Sequence, residues 1–322
     1  MTIELQNLSE LDFKEYHDQL IRRFTEDSVL NGDWTEDEAK NVAKMQLQSI
    51  LPEGVKTPGH FFFAIFHQKL NMAVGNVWIQ IQDKKSVKKG TLFDLMIVDM
   101  FKGKGFDKQT LQVVEEWLKS EQVKDLGLHV YTTNSSGRKL YVDFGFTDFS
   151  YNMVKLLSSE KKESNNKLIL EKMTEEVFQP FIDAQILDYA HENVEAGYWE
   201  KEEAVEKSKE QIEQLLPEGT ETKDHYIFSV ADQESKENVG ALWIYVTEKK
   251  KLKSAFIYYI EIFEKHRGKG LSKQTLGLLE EWCANKEISK IGLHVFAKNT
   301  VARNLYKKFG YEDVNYNMRK EF

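Results

Sequence analysis

The chain has 322 residues, 41% hydrophobic and 30% charged, with 44 basic against 52 acidic side chains and a formal net charge of -8. That length and balance suggest a protein of two ordinary domains, each with a real core. The acidic balance argues against a nucleic-acid binder, which carries a basic face or stripe, and the short runs Lys84-Lys85, Lys88-Lys89 and Lys249-Lys250-Lys251 read as solvated loop charge.

In chain order, the N-terminus has neither a basic region nor a long apolar one, so no signal peptide is expected. Residues 2–5 read as a short strand. A helix follows over 11–28 with Ser9 as its cap, and a second over 35–50, where Thr35 and Glu38 have capping-box spacing. Leu51-Pro52-Glu53-Gly54 stops it. Strands are expected at 60–66, 74–82, 91–98, 126–131 and 149–156, with helices at 108–121 and 135–144. Polar residues 158–166 read as a linker between domains 1–157 and 167–322. The second domain repeats the same order, which makes the fold class α+β, each half a mixed, mostly antiparallel sheet flanked by helices.

The repeat has one constant shift of 165 residues. It brings Trp34 onto Trp199, Gly75 and Trp78 onto Gly240 and Trp243, Gly103-Lys104-Gly105 onto Gly268-Lys269-Gly270, and Tyr151-Asn152-Met153 onto Tyr316-Asn317-Met318. A period of this length is a duplicated domain rather than a solenoid. The lone Cys283 falls on Leu118 and reads as a buried apolar residue. One cysteine permits no intramolecular disulfide and no cysteine-built metal site, which suits a reducing cytoplasm. No apolar run approaches a membrane span. A cytoplasmic protein without metal, membrane or nucleic-acid partner is expected.

The stretch that carries chemistry is Arg267-Gly268-Lys269-Gly270-Leu271-Ser272. It follows an apolar strand ending in Glu261, Ile262 and Phe263, and it opens a helix. Backbone amides at such a turn, with the helix dipole behind them, favour a phosphate. The third glycine of a dinucleotide fingerprint is missing, so a Rossmann reading fails. Strand alternation sets residues 257, 259, 261 and 263 on one face, so Glu261 shares a face with Tyr259.

The loop, together with Asn299…Ala302…Leu305-Tyr306…Gly310-Tyr311, resembles the acetyl-CoA signature of the GCN5-related N-acetyltransferases, the GNAT family. The resemblance covers nearly the whole chain as two tandem GNAT-like domains. It implies transfer of an acetyl group from acetyl-CoA to a primary amine of a small molecule or peptide. It also implies CoA contacts at Ile262, Phe263, Arg267, Gly268, Lys269, Gly270, Leu271, Ser272, Asn299 and Arg303. Tyr306 would protonate the leaving thiolate and Glu261 would act as base. The rival readings are a non-catalytic acyl-CoA-binding module and a transferase of a longer acyl group. For single residues the rivals are a core role for Tyr306, a solvent-facing role for Glu261, and structural histidines at His129 and His294.

The first half departs from the pattern. Lys102 stands for Arg267, Asp107 for Ser272, Met96 for Glu261 and Gly137 for Ala302, while Asn134 and Tyr141 are kept and Asp94 lies two residues before Met96. A carboxylate at Asp107 would repel a diphosphate, or could instead cap the helix, and this half is expected to be a degenerate domain that gives structural support or part of the acceptor pocket.

Overall fold

The computed structural model describes residues 2–30, 35–84, 87–158, 166–195, 197–249 and 252–322. Trp34, Lys85, Lys250, Lys251 and linker residues 159–165 lie outside them.

The two halves run through the same elements in the same order. The first has β1 (Ile3–Asn7), α1 (Glu10–Leu30), α2 (Glu36–Ile50), β2 (His60–His67), β3 (Met72–Lys84), β4 (Val87–Ile97), α3 (Phe106–Ser120), β5 (Val123–Tyr131), α4 (Ser135–Asp143) and β6 (Thr147–Leu156). The second has β7 (Leu168–Lys172), α5 (Glu175–Glu195), α6 (Lys201–Leu215), β8 (His225–Asp232), β9 (Asn238–Lys249), β10 (Leu252–Ile262), α7 (Leu271–Asn285), β11 (Ile288–Phe296), α8 (Thr300–Lys308) and β12 (Glu312–Glu321). The fold is α+β, as expected. The local signals act as read: Ser9 Oγ accepts the amide of Asp12 at 3.2 Å to cap α1, and Glu38 accepts the Thr35 amide at 3.1 Å ahead of α2.

The compact units differ from the sequence repeats by one strand each. One unit is Met1–Ser150 with Asn315–Phe322, and the other is Tyr151–Val314. The sheet order of the first unit is β1-β2-β3-β4-β5-β12, and that of the second is β7-β8-β9-β10-β11-β6. Each half thus lends its last strand to the unit built mostly from the other. In the first unit β12 runs antiparallel to β5, from Asn315 opposite Tyr131 to Glu321 opposite Asp125, and Met318 enters the core beside Leu128 and Val130. In the second unit β6 buries Tyr151 and Met153, the Leu157 amide donates to the Ser289 carbonyl at 2.8 Å, and Lys155 pairs with Glu280 on α7. The exchange is silent in the sequence because both strands carry Tyr-Asn-Met at corresponding positions. Either strand fills either slot.

Within each unit helices cover both sheet faces. α3 sets Leu111, Val114 and Leu118 into the first core, and α7 sets Leu276, Leu279 and Cys283 into the second. Burial pushes the Cys283 thiol up to about 12, in keeping with a packing role. On the other face, α5 and α6 pack Phe178, Ile182 and Ile212 against Ile227 and Trp243.

Candidate active site

The site of the second unit comes from a fault in strand pairing. β10 and β11 run parallel only as far as Ile257 opposite Leu293, then part, while β10 stays paired to β9 as far as Ile262 opposite Gly240. The register against β9 slips between Ile257 and Tyr259, so Tyr258 and Tyr259 both stand opposite Trp243. Tyr258 stacks on the Trp243 ring at 4.9 Å. The expected alternation therefore holds from Tyr259 to Phe263 but breaks at the bulge, and Ile257, paired with Ile244, faces the other way.

Past the bulge, the backbone of β10 has one edge on β9 and one on the gap. The Phe263 amide donates to Val239 at 2.9 Å, so alternation turns Glu261 toward β9 as well and leaves the polar groups of Ile260 and Ile262 on the gap side. Gly240 makes the approach of β9 possible. A Cβ there would lie 2.2 Å from the Glu261 carbonyl oxygen. Gly240→Ala is expected to cost about 1–3 kcal/mol and to lower the rate by displacing Glu261; urea unfolding and initial rates check both.

The glycine loop closes one end of the gap. Gly268 and Gly270 have φ of 79° and 74°, and a Cβ on either would meet nothing within 4 Å, so glycine is there for conformation and the space above is open. α7 starts at Leu271, two residues earlier than the periodicity indicates, which brings its free amides directly to the loop.

A cleft of about 1180 Å³ occupies the gap, and Glu261, Ile262, Arg267, Gly268, Gly270, Leu271, Ser272, Asn299 and Tyr306 all line it. Glu261 is held on both oxygens: Arg267 Nη2 donates to Oε1 at 2.7 Å and Tyr259 Oη to Oε2 at 2.5 Å. Burial, and then the Glu261 carboxylate, hold the Tyr259 phenol well above its ordinary range. Tyr306 is buried on α8, and burial pushes its phenol up to about 12. Asn299 uses its Oδ1 to cap α8, accepting the Ala302 amide at 3.1 Å. His294 also lines the cleft; the walls around it desolvate the imidazole and lower its pKa.

Three expected cofactor contacts lie outside the lining. Phe263 packs against the α5–α6 cluster with its amide already bonded to Val239. Arg303 pairs with Asp313 at 3.0 Å and covers the Tyr151 ring at 3.7 Å. Lys269 is the third. In their place the structure brings in residues that the sequence reading passed over. Asp188, Tyr189, Glu192 and Glu195 of α5, with Tyr198, line the same cleft. Burial raises the Glu192 carboxyl, and Lys298 pairs with Glu195 and lowers its pKa. A signal was present: Asp188 falls on Arg23, and Tyr259 on Asp94, under the same shift of 165 residues.

That double change reverses the chemistry of the first unit. There Arg23 holds Asp94 with two bonds, at 3.1 and 2.8 Å, and Tyr16 Oη donates to the same carboxylate at 2.8 Å. Asp94 is thus consumed by an internal pair. Lys102, in the place of Arg267, pairs with Asp99 at 2.6 Å. The loop keeps its shape, with φ of 73° and 75° at Gly103 and Gly105.

The model of the Acetyltransferase (GNAT) family matches the chain twice, over residues 18–146 and 189–311. The Bacillus subtilis (strain 168) protein named "Uncharacterized N-acetyltransferase YdgE" is 38% identical over 152 residues, which is 47% of this chain and 96% of that one. The protein named "Uncharacterized N-acetyltransferase YycN", from the same strain, is 38% identical over 154 residues, 48% of this chain and 98% of that one. A solved GCN5-related N-acetyltransferase from Sphaerobacter thermophilus covers 99% of this chain and 96% of its own with a TM-score of 0.53 at 14% identity, a likeness of fold. Each half of this chain corresponds to the family domain, and the protein belongs to the GNAT acetyltransferases as a tandem acyltransferase.

Proposed function

We propose that the second unit transfers an acetyl group from acetyl-CoA to a primary amine on a small molecule or peptide. The observation that carries this reading is convergence. The glycine loop, the unpaired edge of β10, Glu261 and Tyr306 all open onto one cleft. The residues present suit CoA: open amides at a helix start for the diphosphate, and a strand edge at Ile260 and Ile262 that β11 leaves uncovered, its Ile262 carbonyl bonded to Arg267, for an extended arm. Acetyl-CoA supplies the thioester to be attacked.

The protein's share is positioning and charge. Holding amine and thioester in register is the largest contribution expected of such a site. Glu261 accepts a proton from the acceptor ammonium, directly or through a water, and the neutral amine so formed attacks the thioester. Tyr306, which lines the same cleft, would donate a hydrogen bond to the thioester sulfur. A thiol near 8.5 lies well below a phenol at about 12, so Tyr306 stabilises the departing thiolate mainly by hydrogen bonding. The acids Asp188 and Glu192, lining the cleft with Tyr189, Tyr198 and Tyr258, favour an acceptor that carries positive charge.

Thiol release from acetyl-CoA across a panel of polyamines, amino acids and peptides tests the reading. Turnover with a cationic amine is expected, and no turnover with any amine would leave only a binding module. Calorimetry should find one CoA per chain, because Asp107 sets a carboxylate where the loop of the first unit would receive a diphosphate and Lys102 is held by Asp99. Two equivalent sites would sink the view of that half as degenerate.

A further inference from the structure

We propose that Arg267 is a clamp on Glu261 that CoA binding releases, so that the base becomes free only once the cofactor is seated. This rests on the reading of the cleft as a CoA site. Arg267 stands between the loop and β10. Its Nε donates to the Ile262 carbonyl at 2.9 Å and its Nη2 to Glu261 Oε1 at 2.7 Å. Its side chain is 58% exposed, so these polar contacts rather than packing fix its position.

Both contacts conflict with a bound cofactor. The Ile262 carbonyl lies on the strand edge that an extended arm would pair with. Arg267 opens the loop whose amides would hold a diphosphate, and it lines the same cleft as Gly268 and Gly270. Arginine binds phosphate oxygens in a fork, which outweighs one bond to a carboxylate and one to a neutral carbonyl. Arg267 therefore leaves Glu261 and Ile262 for the diphosphate when CoA enters. Tyr259 keeps its bond to Oε2 at 2.5 Å, so Glu261 stays oriented while Oε1 opens to the acceptor. An ammonium then meets an uncompensated carboxylate only in the cofactor-bound protein, which imposes an order on binding. The first unit has lost both members together, with Met96 for Glu261 and Lys102 turned onto Asp99. Arg267 is thus a positioning residue, acting through Glu261.

A double-mutant cycle on CoA affinity in the full chain, read by calorimetry, tests the clamp. Glu261→Gln keeps the side-chain volume and removes the partner that competes for Arg267, so it is expected to bind CoA about two- to fivefold tighter. Arg267→Gln is expected to bind more weakly. The gain from Glu261→Gln must shrink in the Arg267→Gln background, because only the direct repulsion between carboxylate and phosphate remains there. An equal gain in both backgrounds, or none, overturns the clamp. Failure of the wild-type chain to bind CoA overturns both the clamp and the functional reading, whereas binding without coupling overturns the clamp alone. A second measurement does not depend on the variants folding. The arginine Nε–H resonance of Arg267 should shift when CoA is added to the wild-type protein, and a resonance that stays in place while CoA binds rejects the clamp.

Discussion

Tyr306→Phe is expected to lower kcat by about 10- to 100-fold while leaving CoA affinity within about twofold. The change removes one hydroxyl from a buried helix residue and keeps the ring, so the packing of Tyr306 against Tyr311 at 5.6 Å survives. What is lost is a hydrogen bond to a charge that develops only as the sulfur departs. Bonds to charged groups are worth about 1.5–3 kcal/mol, and each 1.4 kcal/mol is a factor of ten in rate. The loss falls on kcat because the ground-state thioester carries little charge at sulfur. With a phenol at about 12, Tyr306 stays protonated across the usual assay range, and no alkaline decline below about pH 11 belongs to it. Steady-state kinetics beside calorimetry decide the matter. An unchanged kcat makes Tyr306 a core tyrosine and moves the donor elsewhere.

Cutting the chain at its repeat boundary is expected to destroy the site it was meant to isolate. Residues 167–322 contain the loop, Glu261 and Tyr306 but lack β6. Without β6 the second unit loses the burial of Tyr151 and Met153 and the pairing of Lys155 with Glu280. Burying two side chains of this size is worth roughly 3–6 kcal/mol, much of the ~5–15 kcal/mol that holds a typical domain together. The same fragment carries β12 with Met318 and no β5 to cover it. Residues 147–314 hold every strand of the second unit, and this piece is expected to be the one that stays soluble and binds CoA. Size-exclusion chromatography and circular dichroism of the two fragments make the comparison. A stable, monomeric 167–322 fragment would show that the exchanged strand contributes little.

Much of this architecture was legible in the residues. The loop kept its glycines because the turn needs positive φ, and Cys283 declared its burial by falling on Leu118. Element order followed from periodicity and caps. Three features stayed hidden for physical reasons. A bulge inserts one residue without changing composition, so reading strict alternation through Tyr258 put Ile257 on the wrong face. Strand exchange leaves no mark when both strands present Tyr-Asn-Met to equivalent slots. The acids of α5 drew no reading, because a helix bordering a cleft and one bordering bulk water carry the same side chains. Only the exchange of Arg23 for Asp188 hinted otherwise.

The pair of Arg23 and Asp94 acts as a ratchet on the history of the first unit. Asp94 is 15% exposed, and removing Arg23 alone would strand its carboxylate among Tyr16 and the sheet. Removing Asp94 alone would leave the guanidinium without its fork. Every single step back toward an open cleft therefore passes through a less stable protein, although the loop beside it is still folded for a phosphate. Once such a pair forms, selection for stability alone gives no route back through either partner singly, and duplicated halves that began alike are free to diverge.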